Sequence, residues 1–142
     1  MDQSPVEQKR AGIVVVGGDA ALNYLLRRYA ELIGYPIRFE KNSSSAEAIQ
    51  KLEPAAVIFP SVEILAGAQT LAAELTNSDI PIIVCSSVLD QAKTRELGAD
   101  YYLLHPLGFD SFSATLQAIS ASQQENLLID GEAQDSLPIN PV

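Results

Sequence analysis

Hydrophobic residues along this chain fall into short unbroken runs and longer stripes that return every three or four positions. Ile13-Val14-Val15-Val16 is an unalternated β-branched run stopped by Gly17-Gly18, the pattern of a strand covered on both faces of a parallel sheet. Behind it, Leu22, Leu25, Leu26, Tyr29 and Ile33 trace one face of a helix that Asp19 is placed to start and Gly34 to end. Pro36 to Glu40 predicts a short, half-polar strand. Ser44-Ser45-Ala46-Glu47 has the form of a capping box opening a second helix, about two turns long, through Ile49 and Leu52. Pro54 breaks that helix, and Ala56 to Phe59 predicts a buried third strand ending at Pro60. Ala68, Leu71, Ala72 and Leu75 supply the next helical stripe, with Asn77 to Asp79 as a loop. Ile80 to Cys85 predicts a fourth strand, followed by Ser86-Ser87, a short helix from about Asp90 to Leu97 and a stop at Gly98. Tyr101 to Leu104 predicts a fifth strand. A last helix starts near Gly108 or Asp110 and turns Phe112, Leu116 and Ile119 inward.

Five strands alternating with five helices through short connections predict a doubly wound α/β sandwich, its strands parallel because right-handed crossovers make them so. Sheets of this kind bind ligands at the carboxyl ends of their strands. Candidate chemistry is therefore confined to Gly17-Gly18, the residues after Glu40, Pro60-Ser61, Ser86-Ser87 and His105-Pro106. The 142 residues, 47% of them hydrophobic, suit one core. The chain divides into an N-terminal extension (1–10), the α/β domain (11–121) and an acidic tail or linker (122–142) in which periodicity is lost.

A net charge of −9 repels phosphate backbones and anionic lipid, which argues against nucleic acid or a membrane as partner. Part of that charge belongs to the tail, where Glu125, Asp130, Glu132 and Asp135 have no basic residue among them. The single cysteine, Cys85, allows neither an internal disulfide nor a thiolate metal site; it sits in an apolar strand and is expected to be core. No apolar run is long enough to span a bilayer, and Met1 to Arg10 is too polar for a secretory signal. The expected location is cytoplasmic.

From Gly12 to Ser120 the pattern resembles the receiver domain of two-component response regulators. The first strand and helix (13–29) look like that family's opening, Pro54 to Pro60 like its third strand and Pro81 to Ser86 like its fourth. Gly98-Ala99-Asp100-Tyr101-Tyr102-Leu103-Leu104-His105-Pro106, the most specific piece, looks like its fifth. The resemblance implies a flavodoxin-like five-stranded parallel sheet. It also implies a site in which an acidic pair after the first strand holds Mg²⁺, an aspartate ending the third strand accepts a phosphoryl group and a lysine ends the fifth. Each of these is replaced here: Gly17 and Gly18 stand at the acidic pair, Pro60 at the phosphoacceptor and His105 at the lysine. Ser86 keeps the family's hydroxyl, Asp19 aligns beside the acidic pair, Pro106 matches a proline the family holds cis, and Tyr102 matches its switch aromatic. Proline has no side-chain oxygen to phosphorylate and glycine no carboxylate for a hard cation. The resemblance is thus to an atypical receiver, a pseudo-receiver with a degenerate phosphorylation site, no metal and no cofactor. The loop after Pro60 and the stretch from Ser86 to Gly98 are also shorter than the family's, which alters its switching and dimer face.

The function this implies is a non-enzymatic phosphorelay-type signalling module that binds a protein partner, an attached output domain or a second copy of itself, independently of phosphorylation. The alternative is a sensor of a small anionic ligand, with the Gly17-Gly18 turn, Ser86 and His105 as its floor, although the spacing of a dinucleotide fingerprint is missing. A hydrolase triad of Ser86, His105 and Asp19 lacks a nucleophile elbow and an oxyanion device.

Overall fold

Stiff β-branched side chains and the absence of any polar residue make Ile13–Val16 (β1) a fully buried interior strand of the sheet. In the computed structural model, which describes residues 11–41, 44–86 and 91–123, the remaining strands are β2 (Ile37–Glu40), β3 (Ala56–Phe59), β4 (Ile82–Ser86) and β5 (Tyr101–Leu104). All pairings are parallel, in the order β2-β1-β3-β4-β5. The extension at 1–10, Ser87, Asp90 and the tail beyond residue 123 lie outside the described residues.

Helices cover both faces. On one, α1 (Ala20–Ile33) contributes Leu22, Leu26 and Ala30, and α6 (109–123) contributes Phe112, Leu116 and Ile119; they pack on Ile13, Val15, Ile58 and Ile83. On the other, α2 (Ala46–Lys51), α3 (Val62–Ala66) and α4 (Gln69–Asn77) bury Ile49, Leu65 and Leu71 against Val14, Val57 and Phe59. A short α5 (Gln91–Glu96) leads into Gly98, whose positive φ ends it. Strict alternation of β1 and β3 between the two clusters is what a parallel sheet with helices on both sides requires. The five-stranded doubly wound architecture expected from the sequence is the one observed.

Three local expectations need correction. The β3-to-β4 connection holds two helices, not one, making six in all among the described residues. Ser61 Oγ accepts from the Ile64 N–H to cap α3, and at Ala68 the backbone leaves the helical region (φ −125°, ψ 41°), so α4 has to start afresh. At the start of α2 the cap is Ser45, whose Oγ accepts from Ala48 N–H, while Ser44 donates to Glu40 Oε1, so the Ser44–Glu47 box does not form. The last helix also continues through residues 122 and 123, past the expected boundary at 121. No helix among the described residues is long and apolar enough to cross a membrane.

Candidate functional site

The carboxyl ends of β1, β3, β4 and β5 meet at one edge of the sheet, and the local chemistry of each turn decides what reaches that edge. After β1, Gly17 donates its N–H to Glu40 O (2.9 Å) and Gly18 takes a φ of +99°, which side-chain-bearing residues rarely adopt. Asp19 Oδ1 then accepts from Leu22 N–H at 2.9 Å, so the acid nearest the turn is engaged as the cap of α1. Asn23 Nδ2 donates back to Gly17 O at 3.3 Å, while its Oδ1 is buried without a partner.

Pro60, at the end of β3, is buried directly beneath Gly18. A Cβ placed at residue 18 would lie 2.8 Å from Pro60 Cγ and 2.7 Å from Asn23 Oδ1. A side chain at residue 18 would therefore collide with the ring of Pro60. Ser86 closes β4, only 8% exposed, and its carbonyl accepts from the His105 N–H at 2.9 Å. His105 is half-buried, and the His105–Pro106 peptide is cis, in line with the resemblance. Tyr102 packs, partly buried, against the cluster formed by Val84 and Phe59.

These tips surround a cleft of about 450 Å³. Asp19, Pro60, Ser86 and His105 line it; Gly17 and Gly18 do not. Three polar residues that the sequence reading missed also line it: Glu63 from the first turn of α3, and Lys93 and buried Thr94 from α5. Nothing in their spacing announces them, since only the crossovers bring α3 and α5 to the same edge. A hollow of about 520 Å³ between Pro36, Arg38, Leu52 and Pro54 lies at the opposite edge, away from the strand ends where ligands bind this class of sheet.

The residues at the edge do not fit Mg²⁺. A hard cation of that size needs near-octahedral oxygen ligands, and Gly17, Gly18 and Pro60 offer no side-chain oxygen while Asp19 is tied to its helix. Among the described residues there is no group of three or more His, Cys, Asp or Glu that could hold a metal ion.

Cys85 contributes to the floor of this cleft yet is only 1% exposed, and burial pushes its thiol from an ordinary value of 9.0 up to about 12. At pH 8 only about one thiol in ten thousand is then the reactive thiolate. Iodoacetamide should leave the native chain unmodified from pH 6 to about pH 9 and alkylate it fully once guanidinium unfolds it; rapid labelling of the native form contradicts this placement. Since the folded-state value is the higher one, the contribution of Cys85 to stability is complete below pH 9.0 and is lost as pH rises toward 12.

No protein-family model matches the chain, and no curated protein matches it by sequence. Solved structures do match in shape. NtrX from Brucella abortus, determined with ADP, superposes with a TM-score of 0.69 at 18% identity over 86% of this chain, which spans 29% of the length of that protein. The receiver domain of Saccharomyces cerevisiae Ssk1, co-crystallised with the histidine phosphotransfer protein Ypd1, gives 0.68 at 10% identity over 81% of this chain and 92% of that one. The receiver domain of a Pseudomonas aeruginosa sensor histidine kinase, with magnesium coordinated in its active-site cleft, gives 0.62 at 15% identity over 78% and 99%. Sheet order, strand tips and these superpositions agree that the chain has the receiver-domain fold of response regulators.

Proposed function

We propose that this chain is a receiver-like signalling module of the phosphorelay type that has lost aspartyl-phosphate chemistry and acts, without catalysing a reaction, through contact with a protein. The observation carrying this reading is Pro60, buried at the end of β3 under Gly18 where an acceptor carboxylate would have to stand. An acylphosphate needs a side-chain carboxylate at that point and a divalent ion beside it, and neither requirement is met by the residues present. The fold supports the interaction half of the proposal: the Ssk1 receiver is a protein of the same shape captured against a protein partner. An attached output domain or a second copy of the chain would serve as partner equally well.

Incubation with acetyl phosphate and Mg²⁺, followed by intact-mass measurement, is expected to show no added phosphate. A stable phosphoryl adduct overturns the proposal. The anionic-ligand reading is the weaker one, because Asp19 and Glu63 put two carboxylates on the walls of the cleft.

A further inference from the structure

Helix α1 carries two apolar stripes where an ordinary surface helix carries one. Leu22, Leu26 and Ala30 are buried against the sheet, as amphipathic packing requires. On the outward side, where polar residues belong, Tyr24 and Leu32 are 62% and 60% exposed. Arg28 stands four residues from each of them, so the three share one strip, roughly 12 Å long at 1.5 Å per residue. The charged residues on this side are Arg27, Arg28 and Glu31, a net positive charge on a chain whose total is −9. Arg27 lies over the Phe39 ring at 4.8 Å, and Arg28 pairs with Glu31 at 3.7 Å. A guanidinium has five N–H donors, and one exposed carboxylate at that distance does not use them up.

The neighbouring helix brings a complementary segment to this strip. Tyr29 of α1 meets the rings of Phe109 and Phe112 at 5.4 and 5.8 Å, so α6 lies alongside α1. Both helices follow a strand of the same parallel sheet, and both therefore run toward the amino edge, where Leu32 nears the end of α1 and residue 123 leaves α6. Beyond that point Leu127, Leu128 and Ile129 stand between Glu125 on one side and Asp130 and Glu132 on the other, with no basic residue among them. The six residues from 123 to 129 reach up to roughly 20 Å, enough to turn back onto Leu32.

We propose that residues 125–132 turn back onto α1 as an intramolecular cover. Leu127, Leu128 and Ile129 lie on Tyr24 and Leu32, and Asp130 and Glu132 meet Arg28 and Arg27. A second copy of the chain is the poorer occupant, because it brings −9 against −9, whereas the tethered segment brings the opposite charge at an effective concentration in the millimolar range. A protein that binds α1 has first to displace this cover.

The test is digestion of the full 142-residue chain with a glutamate-specific protease, cleavage after Glu125 and Glu132 being followed by intact mass. The parent should be cut there about tenfold more slowly than the double variant Tyr24→Ser, Leu32→Ser, and about threefold more slowly than Arg28→Gln. All three side chains are exposed, so the circular-dichroism spectra should be unchanged. Because the substitutions lie on α1, away from the cleavage points, a change in rate reads the contact and not the preference of the protease. Equal rates in parent and variants overturn the proposal, and so does protection that rises with chain concentration, which assigns the strip to a second copy. Phosphate incorporation would reject the signalling role proposed above and leave this contact standing; equal cleavage rates would do the reverse.

Discussion

Gly18→Ala should destabilise the chain by about 2–6 kcal/mol in urea denaturation, combining roughly 1–3 kcal/mol of backbone strain with a similar overpacking penalty. The strain comes from φ at +99°, and the overpacking from a methyl group forced to 2.7 Å from Asn23 Oδ1 and 2.8 Å from Pro60 Cγ. Gly34 separates the two effects. It too has a positive φ (+82°), but a Cβ there would meet nothing within 4 Å, so Gly34→Ala should show the strain alone, about 1 kcal/mol. Pairing the change at residue 18 with Pro60→Ala removes the ring carbon nearest the new methyl. The cost of Gly18→Ala should then fall by about 1 kcal/mol or more, a coupling that strictly additive energies would refute. Such coupling would mean that residues 18 and 60 act as one structural unit, since a side chain at residue 18 is costly while the proline stays.

Much of this architecture is written locally, and what is not depends on contacts made at long range. The strands β1, β3 and β5 follow from unbroken apolar runs with a breaker at the end, and α1 follows from its stripe between Asp19 and Gly34. The helix α3 is not legible in the sequence because Val62, Ile64 and Leu65 are too few to show a period, and Ser61 reads as a strand tip although it also caps. Asp100 stood out as part of a family-like stretch, but its task appears only in the fold: Oδ2 accepts from Ile82 N–H at 2.9 Å, tying the start of β4 to the turn before β5. At the candidate site, the right strand tips could be chosen because parallel topology fixes where they gather. The contact between Gly18 and Pro60, and the arrival of Glu63 and Lys93, could not, because each depends on how a crossover lands.

Pro60→Asp, which places a carboxyl at the end of β3, should destabilise the chain by about 2–4 kcal/mol at neutral pH without permitting phosphorylation. The position is buried, and the new carboxyl would stand among Gly18, which carries no side chain, and an Asn23 whose nearest oxygen is an acceptor already lacking a donor. Desolvation raises the folded-state pKa of such a group above its unfolded value near 3.9. The sign of the pH dependence follows: the neutral acid is tolerated below about pH 4, and the variant loses stability as pH rises through the folded-state value, relative to the parent chain under the same conditions. Millimolar Mg²⁺ should leave the melting temperature of the variant unchanged, because stabilisation by a ligand requires a site that binds it and one added carboxyl does not make an octahedral oxygen set. If Mg²⁺ instead raises the melting temperature, or acetyl phosphate adds a phosphoryl group to the variant, then the edge supplies more oxygen ligands than Gly17 and Gly18 suggest. In that event Pro60 alone would be what withholds the chemistry from the parent chain, and the proposed loss would reduce to a single side chain.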